Sequence, residues 1–323
     1  MNEERSPIEV PMPSAVEAVA AEAAEARRRF DMACAQLRPE LHRFCTRMTG
    51  SPCDGEDVLQ DALVLAFYRL SELREGGALR SWLFRIAHNK CIDFLRARGR
   101  FEPIDPERPA DEERTMDEEL EHKQRAQRAL ANIVTALPPR ERACVLLKDV
   151  LDCSLEETAA IVGSNAIAVR AALHRGRAKL ERAEGLEPPL RPLEAQHRAQ
   201  IERYLSAFND RDWDGVRALL TDDARLDVVH RSEGSFADAC YLVNYARLTW
   251  RWKLELAWVD GVESIVHFRE EGGVWVPHAL VQLRVSGDRI SAIRDYVHVD
   301  YMLRHCAVTP SSTEPAPALP FGH

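Results

Sequence analysis

The sequence predicts a multidomain protein in which two all-α units are followed by a cone-shaped α+β domain. Apolar residues recur every three or four positions as far as residue 183, which is the spacing of helices. After residue 194, two helical segments precede stretches in which apolar and polar residues alternate, as in strands. An acidic segment and a proline-rich segment separate the three units, and 323 residues suffice for about two or three domains.

The composition excludes several classes of protein. No run of about 18 uncharged apolar residues is present and the first residues lack a signal-peptide pattern, so we expect a cytoplasmic protein that does not enter membranes. The eight cysteines are scattered without a Cys-x-x-Cys pair, which favours free thiols and predicts neither a metal site nor a cofactor. The net charge of −9 means that any DNA contact must rest on local clusters of basic residues.

Changes in composition give the predicted domain boundaries. Residues 101–121 hold ten acidic and two basic side chains with three prolines, which is typical of a linker. The predicted segments are a loose N-terminal arm (1–26), a helical unit (27–100), the acidic linker (101–122), a second helical unit (123–184), a proline-rich linker (185–193), the α+β domain (194–306) and a disordered tail (307–323).

Three helices are predicted in the first unit. Apolar residues between Phe30 and Met48 follow a 4-3-4-3-4 spacing, and Pro39 within that run predicts a kink or a restart. The second helix should span about 54–70 and the third about 79–98.

The polar side of the third helix is a candidate nucleic-acid surface. Residues 80–100 carry six basic side chains and one acidic side chain. Single-stranded bases stack on aromatic rings and bond to amides and guanidiniums, so an exposed tryptophan among such groups suits them. The alternative is that the tryptophan covers the core. The residues that project to this side are Trp82, Arg85, Asn89, Asp93 and Arg96.

A helix-turn-helix pattern lies in the second unit. Ser154 and Glu157 have the spacing of a capping box at the start of one helix. Gly163 allows a tight turn after that helix, and Ser164 or Asn165 can cap the next one.

The helix after the turn has the charge of a DNA-recognition helix. Residues 164–180 contain four basic side chains and no acidic one, which suits phosphate contacts and guanine edges. Ile167, Val169 and Leu173 are predicted to pack inward. The alternative is a solvated basic face without a nucleic-acid role.

Two separate blocks of motifs resemble a known family. Residues 54–61 (DGEDVLQD) and 79–96 (LRSWLFRIAHNKCIDFLR) are similar to regions 2.2 to 2.4 of bacterial sigma factors. Residues 137–142 (LPPRER), 149–151 (DVL) and 169–180 (VRAALHRGRAKL) are similar to region 4. The chain therefore resembles the extracytoplasmic-function (ECF) group of the sigma-70 family, which implies a region 2 helical bundle and a region 4 helix-turn-helix.

The resemblance implies two partners, core RNA polymerase and promoter DNA. The positions matching the surface that docks on the β′ clamp are Asp57, Gln60 and Asp61. Those on the helix that melts and reads the −10 element are Trp82, Arg85, Asn89, Asp93 and Arg96. Those at the −35 element are Arg170, Ala171 and Arg175, with His174, Arg177 and Lys179 beside them. The acidic linker resembles the segment that threads through polymerase, although a solvated spacer would look the same.

The third unit resembles a second family. Residues 204–213 (YLSAFNDRDW) and 219–224 (LLTDDA) are similar to the opening of SnoaL-like domains, in the nuclear-transport-factor-2-like superfamily. Residues 279–285 and 290–299 flank a Ser-Gly-Asp turn and predict an antiparallel hairpin. Fused domains of this kind modulate ECF sigma factors, so the resemblance implies regulation within the chain.

Catalysis by the third unit is disfavoured by strand alternation. The candidate acids and bases are Asp227, His230, His267, His278, Asp295 and His298. Alternation places His267 and His278 on the wet face of a half-buried sheet, away from the apolar rows. Binding of a small ligand or of a protein therefore remains open, with protein contact favoured. The two indoles of Trp250 and Trp252 belong either to the core or to a docking patch.

Together these patterns predict an alternative sigma factor that is not an enzyme and whose C-terminal domain modulates it in cis. The alternatives are a helix-turn-helix regulator with a ligand-binding effector domain, or a SnoaL-type enzyme fused to a DNA-binding module. The block at 54–61 favours the first prediction, because a simple repressor needs no clamp-binding surface. A tether of eight residues (185–192) reaches at most about 25–29 Å, so the third unit stays close and partial inhibition is expected.

Overall fold

The computed structural model describes residues 15–73, 79–99, 133–183, 189–237 and 240–311. The predicted acidic linker lies outside these ranges, as do parts of the N-terminal arm, of the proline-rich linker and of the C-terminal tail. Within them, helical units precede an α+β domain, so the predicted fold class is confirmed.

The first unit contains the three predicted helices, α1 (Ala15–Thr49), α2 (Pro52–Tyr68) and α3 (Leu79–Ala97). Helix α1 continues through Pro39, so the restart predicted there does not occur. The hydroxyl of Ser51 accepts a hydrogen bond from the Asp54 amide and begins α2. A single 3-10 turn, Leu70–Glu72, follows α2.

The second unit is a compact set of short helices: α4 (Ile133–Ala136), α5 (Pro139–Val145), a π-helical turn (Leu146–Val150), α6 (Leu155–Val162) and α7 (Ala166–Arg182). The predicted capping box is present, with Glu157 N donating to Ser154 Oγ at 3.0 Å and Ser154 N donating to Glu157 Oε2 at 2.8 Å. Gly163 has a φ of 66°, a left-handed conformation that glycine adopts without strain, and Asn165 caps α7.

The apolar core does not stop at the boundary between the two helical units. Phe44 and Leu83 of the first unit belong to the same buried cluster as Leu147 and Leu173 of the second. The guanidinium of Arg142 also donates to backbone oxygens of both units, those of Leu137 and Met48. The two units are therefore packed together in this conformation.

The C-terminal domain has three helices, α8 (Ala195–Asn209), α9 (Trp213–Ala218) and α10 (Tyr241–Ala246). Its strands are β1 (Leu220–Val228), β2 (Ser232–Ser235), β3 (Trp252–Val259), β4 (Val262–Glu271), β5 (Val274–Ser286), β6 (Arg289–Asp295) and β7 (Val308–Pro310). They form one sheet in the order β2-β1-β6-β5-β4-β3-β7, in which β1 and β6 are parallel and the other pairs antiparallel.

The predicted hairpin is the β5–β6 pair. The helices cover one face of the sheet with an aromatic core, in which Phe208 contacts Trp213, Tyr245 and Trp252. Trp252 is buried there, so the core alternative holds for that indole.

Candidate DNA-binding and polymerase-binding surfaces

Four of the five residues predicted to read the −10 element form one exposed stripe along α3. Arg85, Asn89, Asp93 and Arg96 follow each other at intervals of four, four and three positions, which keeps them on one side of a helix. Arg96 lies 3.4 Å from the carboxylate of Asp93, in an exposed pair that leaves both groups accessible. The stripe thus presents guanidinium, amide and carboxylate groups to solvent.

Trp82 is not part of this stripe. Its side chain is only 8% exposed and belongs to the core shared by the two helical units. The expectation of an exposed indole is wrong in this conformation, because burying such a large apolar ring is favourable where a core is within reach.

The first turn of α3 is held against the helix-turn-helix. The guanidinium of Arg80 donates to the backbone oxygen of Leu151 at 3.0 Å and approaches Cys153 Sγ at 3.4 Å. The same group pairs with Glu40 of α1. Arg80 therefore joins α1, α3 and the loop that precedes α6.

The basic residues of α7 fall into two groups. Arg170 and His174 are exposed. Arg175 and Lys179 instead pair with Glu141 of α5, at 3.0 and 2.7 Å. The acid-free sequence of this helix therefore overstates the charge that it offers to DNA.

Arg177 and Ala171 are placed differently from their sequence expectation. Arg177 forms a two-point ion pair with Asp149, at 2.5 and 3.0 Å, and the two side chains are 10% and 1% exposed. Ala171 is buried as well. Both face the interior because α5 and the π-helical turn pack against this side of α7, and both are poor candidates for direct contact with DNA.

The exposed N-terminal face of α7 includes a residue that the sequence placed wrongly. Ile167 is 65% exposed, whereas Val169 and Leu173 are buried as predicted. Recognition helices contact bases through their N-terminal residues, and apolar side chains meet thymine methyl groups. Ile167 and Arg170 are both exposed in the N-terminal part of α7, the part through which recognition helices in general contact bases.

On α2, one residue of the surface predicted to dock on polymerase, Asp57, faces the C-terminal domain. Both carboxylate oxygens of Asp57 are held by the guanidinium of Arg294 on β6, at 2.6 and 2.8 Å. The same guanidinium lies 2.7 Å from Asp227 of β1. Burial raises the pKa of Asp57 above its usual range, against the opposing effect of Arg294. Gln60 reaches Glu56 at 3.5 Å, and Asp61 is exposed near Lys90.

Next to Asp57, the carboxylate of Glu56 is fully enclosed, with a side-chain exposure of 0%. It accepts hydrogen bonds from the Tyr301 hydroxyl at 3.0 Å, from His230 Nε2 at 2.8 Å and from Arg38 at 3.2 Å. Burial alone would raise the pKa of Glu56, but His230, His42 and Arg38 outweigh it and lower the pKa. We call the contact made by Glu56 and Asp57 with His230, Arg294 and Tyr301 the α2 interface.

Two further contacts extend this interface. Cys53 of α2 is buried in one apolar cluster with Val299, Tyr301 and Met302. Arg47, at the end of α1, pairs with Asp260 at 2.8 Å. The C-terminal domain is thus fixed to the first helical unit by apolar packing as well as by charge.

Two of the candidate acids and bases of the sheet, Asp295 and His267, are buried. Asp295 is buried, and its carboxylate accepts bonds from Tyr241 at 2.7 Å, Tyr245 at 2.6 Å and the Val297 amide at 2.9 Å. His267 is fully buried, so its placement on a wet face is wrong. His267 does lie on the face of β4 opposite Val266 and Phe268, but the rings of Tyr245, Trp250 and Trp252 cover that face, so both faces of the strand are buried here.

The described ranges contain neither a grouped set of metal-binding side chains nor a helix suited to a membrane. In the described ranges, no three His, Cys, Asp or Glu side chains are grouped so that they could hold a metal ion. Nor does any helix in those ranges combine the length and hydropathy of a bilayer span. All eight cysteines are described, and each is a free thiol.

Comparison with known proteins identifies the family. The model of Sigma-70 region 2 matches residues 34–101, and that of Sigma-70, region 4, matches residues 127–180. The ECF RNA polymerase sigma factor SigM of Mycobacterium tuberculosis is 32% identical over 172 residues, which cover 53% of this chain and 85% of SigM. The chain belongs to the ECF RNA polymerase sigma factors.

This ECF sigma factor is also similar to longer relatives. SigG of M. tuberculosis is 29% identical over 304 residues, covering 83% of this chain and 81% of SigG. The crystal structure of M. tuberculosis SigJ matches 82% of this chain and 95% of its own, with 18% identity and a TM-score of 0.31. As an alternative sigma factor, the protein acts in transcription initiation through core RNA polymerase and promoter DNA.

Proposed function

We propose that the C-terminal domain holds this sigma factor inactive by covering the polymerase-docking surface of α2. The observation that carries the proposal is the two-point ion pair between Asp57 and Arg294, at 2.6 and 2.8 Å, beside the enclosed carboxylate of Glu56. Asp57 cannot bind the clamp while Arg294 occupies both of its oxygens. Gln60 and Asp61 continue the same docking surface along α2.

The DNA contacts divide between two helices. We assign the −10 element to the exposed stripe of α3 and the −35 element to the N-terminal face of α7, with Arg170 and His174 as the accessible basic groups. Arg175 and Lys179 could reach phosphates only after leaving Glu141.

A promoter would also have to separate the two helical units. Elements centred near −35 and −10 are about 25 base pairs apart, or ~85 Å along B-DNA at about 3.4 Å per pair. Here α3 and the helix-turn-helix are packed together and joined by Arg80. We infer that this is a closed conformation, which opens when core polymerase and promoter are bound.

The C-terminal domain acts in this scheme as a regulatory module without chemistry of its own. Asp295, its most deeply buried acid, already accepts hydrogen bonds from three donors of its own domain, which supports a structural role for it. Because the scheme needs polymerase and DNA, we place the protein in the cytoplasm.

Run-off transcription with limiting core polymerase tests the proposal. The full chain is compared with a chain that ends after Ala183 and keeps both sigma regions, as relatives of SigM length do. We expect the shorter chain to give about tenfold more transcript, the equivalent of about 1.4 kcal/mol of lost inhibition. Equal yields from the two chains would refute regulation in cis.

A further inference from the structure

A cavity of about 810 Å³ opens in the C-terminal domain beside the aromatic core. Its wall is apolar and aromatic where Leu226, Tyr245 and Trp250 line it, and it is polar at Arg231 and His298. Its volume lies within the range of about 300–1,000 Å³ that is usual for small-molecule sites. An apolar wall with a few polar groups is also typical of such sites.

Behind this wall lies a buried polar side chain without a partner. His267 is fully buried, and neither ring nitrogen has a hydrogen-bond partner among the described residues. Its ring centroid lies 5.3 Å from that of Trp250 and 5.8 Å from that of Tyr245. Burial lowers the pKa of His267 to about 3, so the imidazole is neutral and offers one donor and one acceptor. Unpaired buried groups of this kind are rare and call for an explanation.

The polar end of the cavity favours an anion. Among the described residues, Arg231 has no carboxylate partner, whereas Glu233 on the same rim lies 3.4 Å from Arg225. His298 adds an imidazole close to Arg231. Burial lowers the pKa of His298, and the positive charge of Arg231 lowers it further. An acidic group placed here would meet a free guanidinium and an imidazole.

We propose that this cavity binds a small aromatic anion, with its rings against Tyr245 and Trp250 and its acidic group at Arg231 and His298, and that binding weakens the α2 interface. The second half of this inference rests on the proposed function, because it assumes that the interface inhibits polymerase docking.

Three short connections link the cavity to the interface. Arg231 lines the cavity and follows His230, which bonds to Glu56. Tyr241 and Tyr245 line the cavity and hold Asp295, which follows the Arg294 that binds Asp57.

The third connection is His298, which lies in the cavity wall three residues before Tyr301. A ligand that moves this wall therefore moves all three contacts of the C-terminal domain with Glu56 and Asp57. A ligand that binds the released form better than the closed form shifts the equilibrium towards release.

The first experiment measures the binding of 1-anilinonaphthalene-8-sulfonate, an aromatic anion whose fluorescence rises in apolar sites, to the full chain. We expect Arg231→Ala to weaken binding about tenfold, the usual scale for one lost charged hydrogen bond. Asn244→Trp, which places an indole at the cavity rim, should abolish it. Arg284→Ala removes an exposed arginine of β5 outside the cavity and should change nothing.

Circular dichroism of each variant establishes that it is folded. Absence of dye binding by the wild-type chain would overturn the cavity assignment, and so would equal dye affinity in the wild type and both cavity variants.

The second experiment measures the affinity of the full chain for core polymerase with and without the dye. We expect the dye to tighten binding several-fold for the full chain and to have no effect on a chain ending after Ala183. Dye binding without any change in polymerase affinity would overturn the coupling. If the two chains bind polymerase equally well without dye, the proposed function fails, while the fluorescence titration still decides whether the cavity binds the anion.

Discussion

The two proposed surfaces of the first helical unit are in opposite states. On α3, the stripe from Arg85 to Arg96 is open to solvent. On α2, Asp57 is paired with Arg294, and Glu56 is fully enclosed between the C-terminal domain and α1. The difference shows that the C-terminal domain contacts α2 at Asp57 and Glu56 and leaves the stripe on α3 exposed, as the proposed regulation of polymerase docking requires.

The chemistry of the α2 interface suits a contact that must come apart. Asp57 and Arg294 are only partly buried, so exchanging Arg294 for a basic group of another protein costs little net energy. Glu56 is different, because leaving its carboxylate buried without partners would be strongly unfavourable. Release must therefore expose Glu56 to water or supply it with new donors.

The largest effect is expected at Trp82, which the sequence predicts to be part of the exposed stripe on α3 and which the structure places in the core. Trp82→Ala should lower the free energy of unfolding by about 3–5 kcal/mol, because it empties a core site. Asn89→Ala should leave stability within about 0.5 kcal/mol and impair strand opening instead. Denaturant unfolding measures the first effect, and permanganate footprinting of −10 thymines measures the second. An intact stability in Trp82→Ala would show that the ring is exposed after all.

On α7, Arg170 is exposed to solvent, whereas Arg177 is paired with Asp149 inside the fold, so the two substitutions should have different effects. Arg170→Ala should weaken binding to a −35 duplex by about 1–3 kcal/mol, with stability unchanged. Arg177→Ala should instead destabilise the fold by about 3–5 kcal/mol, because it leaves Asp149 buried and unpaired. Fluorescence anisotropy and thermal unfolding distinguish the two. If Arg177→Ala is stable and loses DNA affinity, the assignment of α7 must be reversed.

A smaller effect is expected from pH at the α2 interface. His42 is buried under Tyr301, with ring centroids 5.2 Å apart, and burial lowers its pKa despite the nearby Glu56. Since unfolded histidine takes up a proton near pH 6.5, the stability from neutral His42 is complete above that pH and is lost as the pH falls. The lowered pKa of Glu56 acts in the same direction at lower pH.

The unfolding temperature measured at pH 7.5, 6.5 and 5.5 should therefore fall progressively. In the His42→Gln variant, it should fall less over the same pH range. Gln can still donate to the Pro52 oxygen that His42 contacts. Identical pH profiles for the two chains would exclude His42 as the titrating group.

Local features of the structure were largely predictable from the sequence. The bounds of α2 and α3 fall within two residues of the expected ones, and the capping box of α6 and the glycine turn after it are present. These features depend on neighbours within four residues, and periodicity and capping preferences report on that range.

The features that the sequence did not predict depend on contacts between residues that are far apart in the chain. The sequence predicts that Arg177 contacts DNA, whereas the structure pairs it with Asp149, 28 residues earlier, which is beyond the range over which helical spacing carries a signal. The pair of Arg294 with Asp57 spans 237 residues, and the sequence offered no sign of it. Alternation places His267 opposite Val266 and Phe268, as the structure shows, but it does not reveal that distant aromatic rings bury that face as well.

The most direct test of regulation at α2 is the affinity of the full chain for core polymerase after Arg294→Ala. The change frees Asp57 without altering any residue assigned to the docking surface, and Arg284→Ala on the neighbouring strand is the matched control. We expect Arg294→Ala to bind core polymerase about tenfold more tightly than the wild-type chain, a change of about 1.4 kcal/mol, and Arg284→Ala to match the wild type. An affinity for Arg294→Ala that is unchanged or weaker would contradict the claim that the C-terminal domain covers this surface.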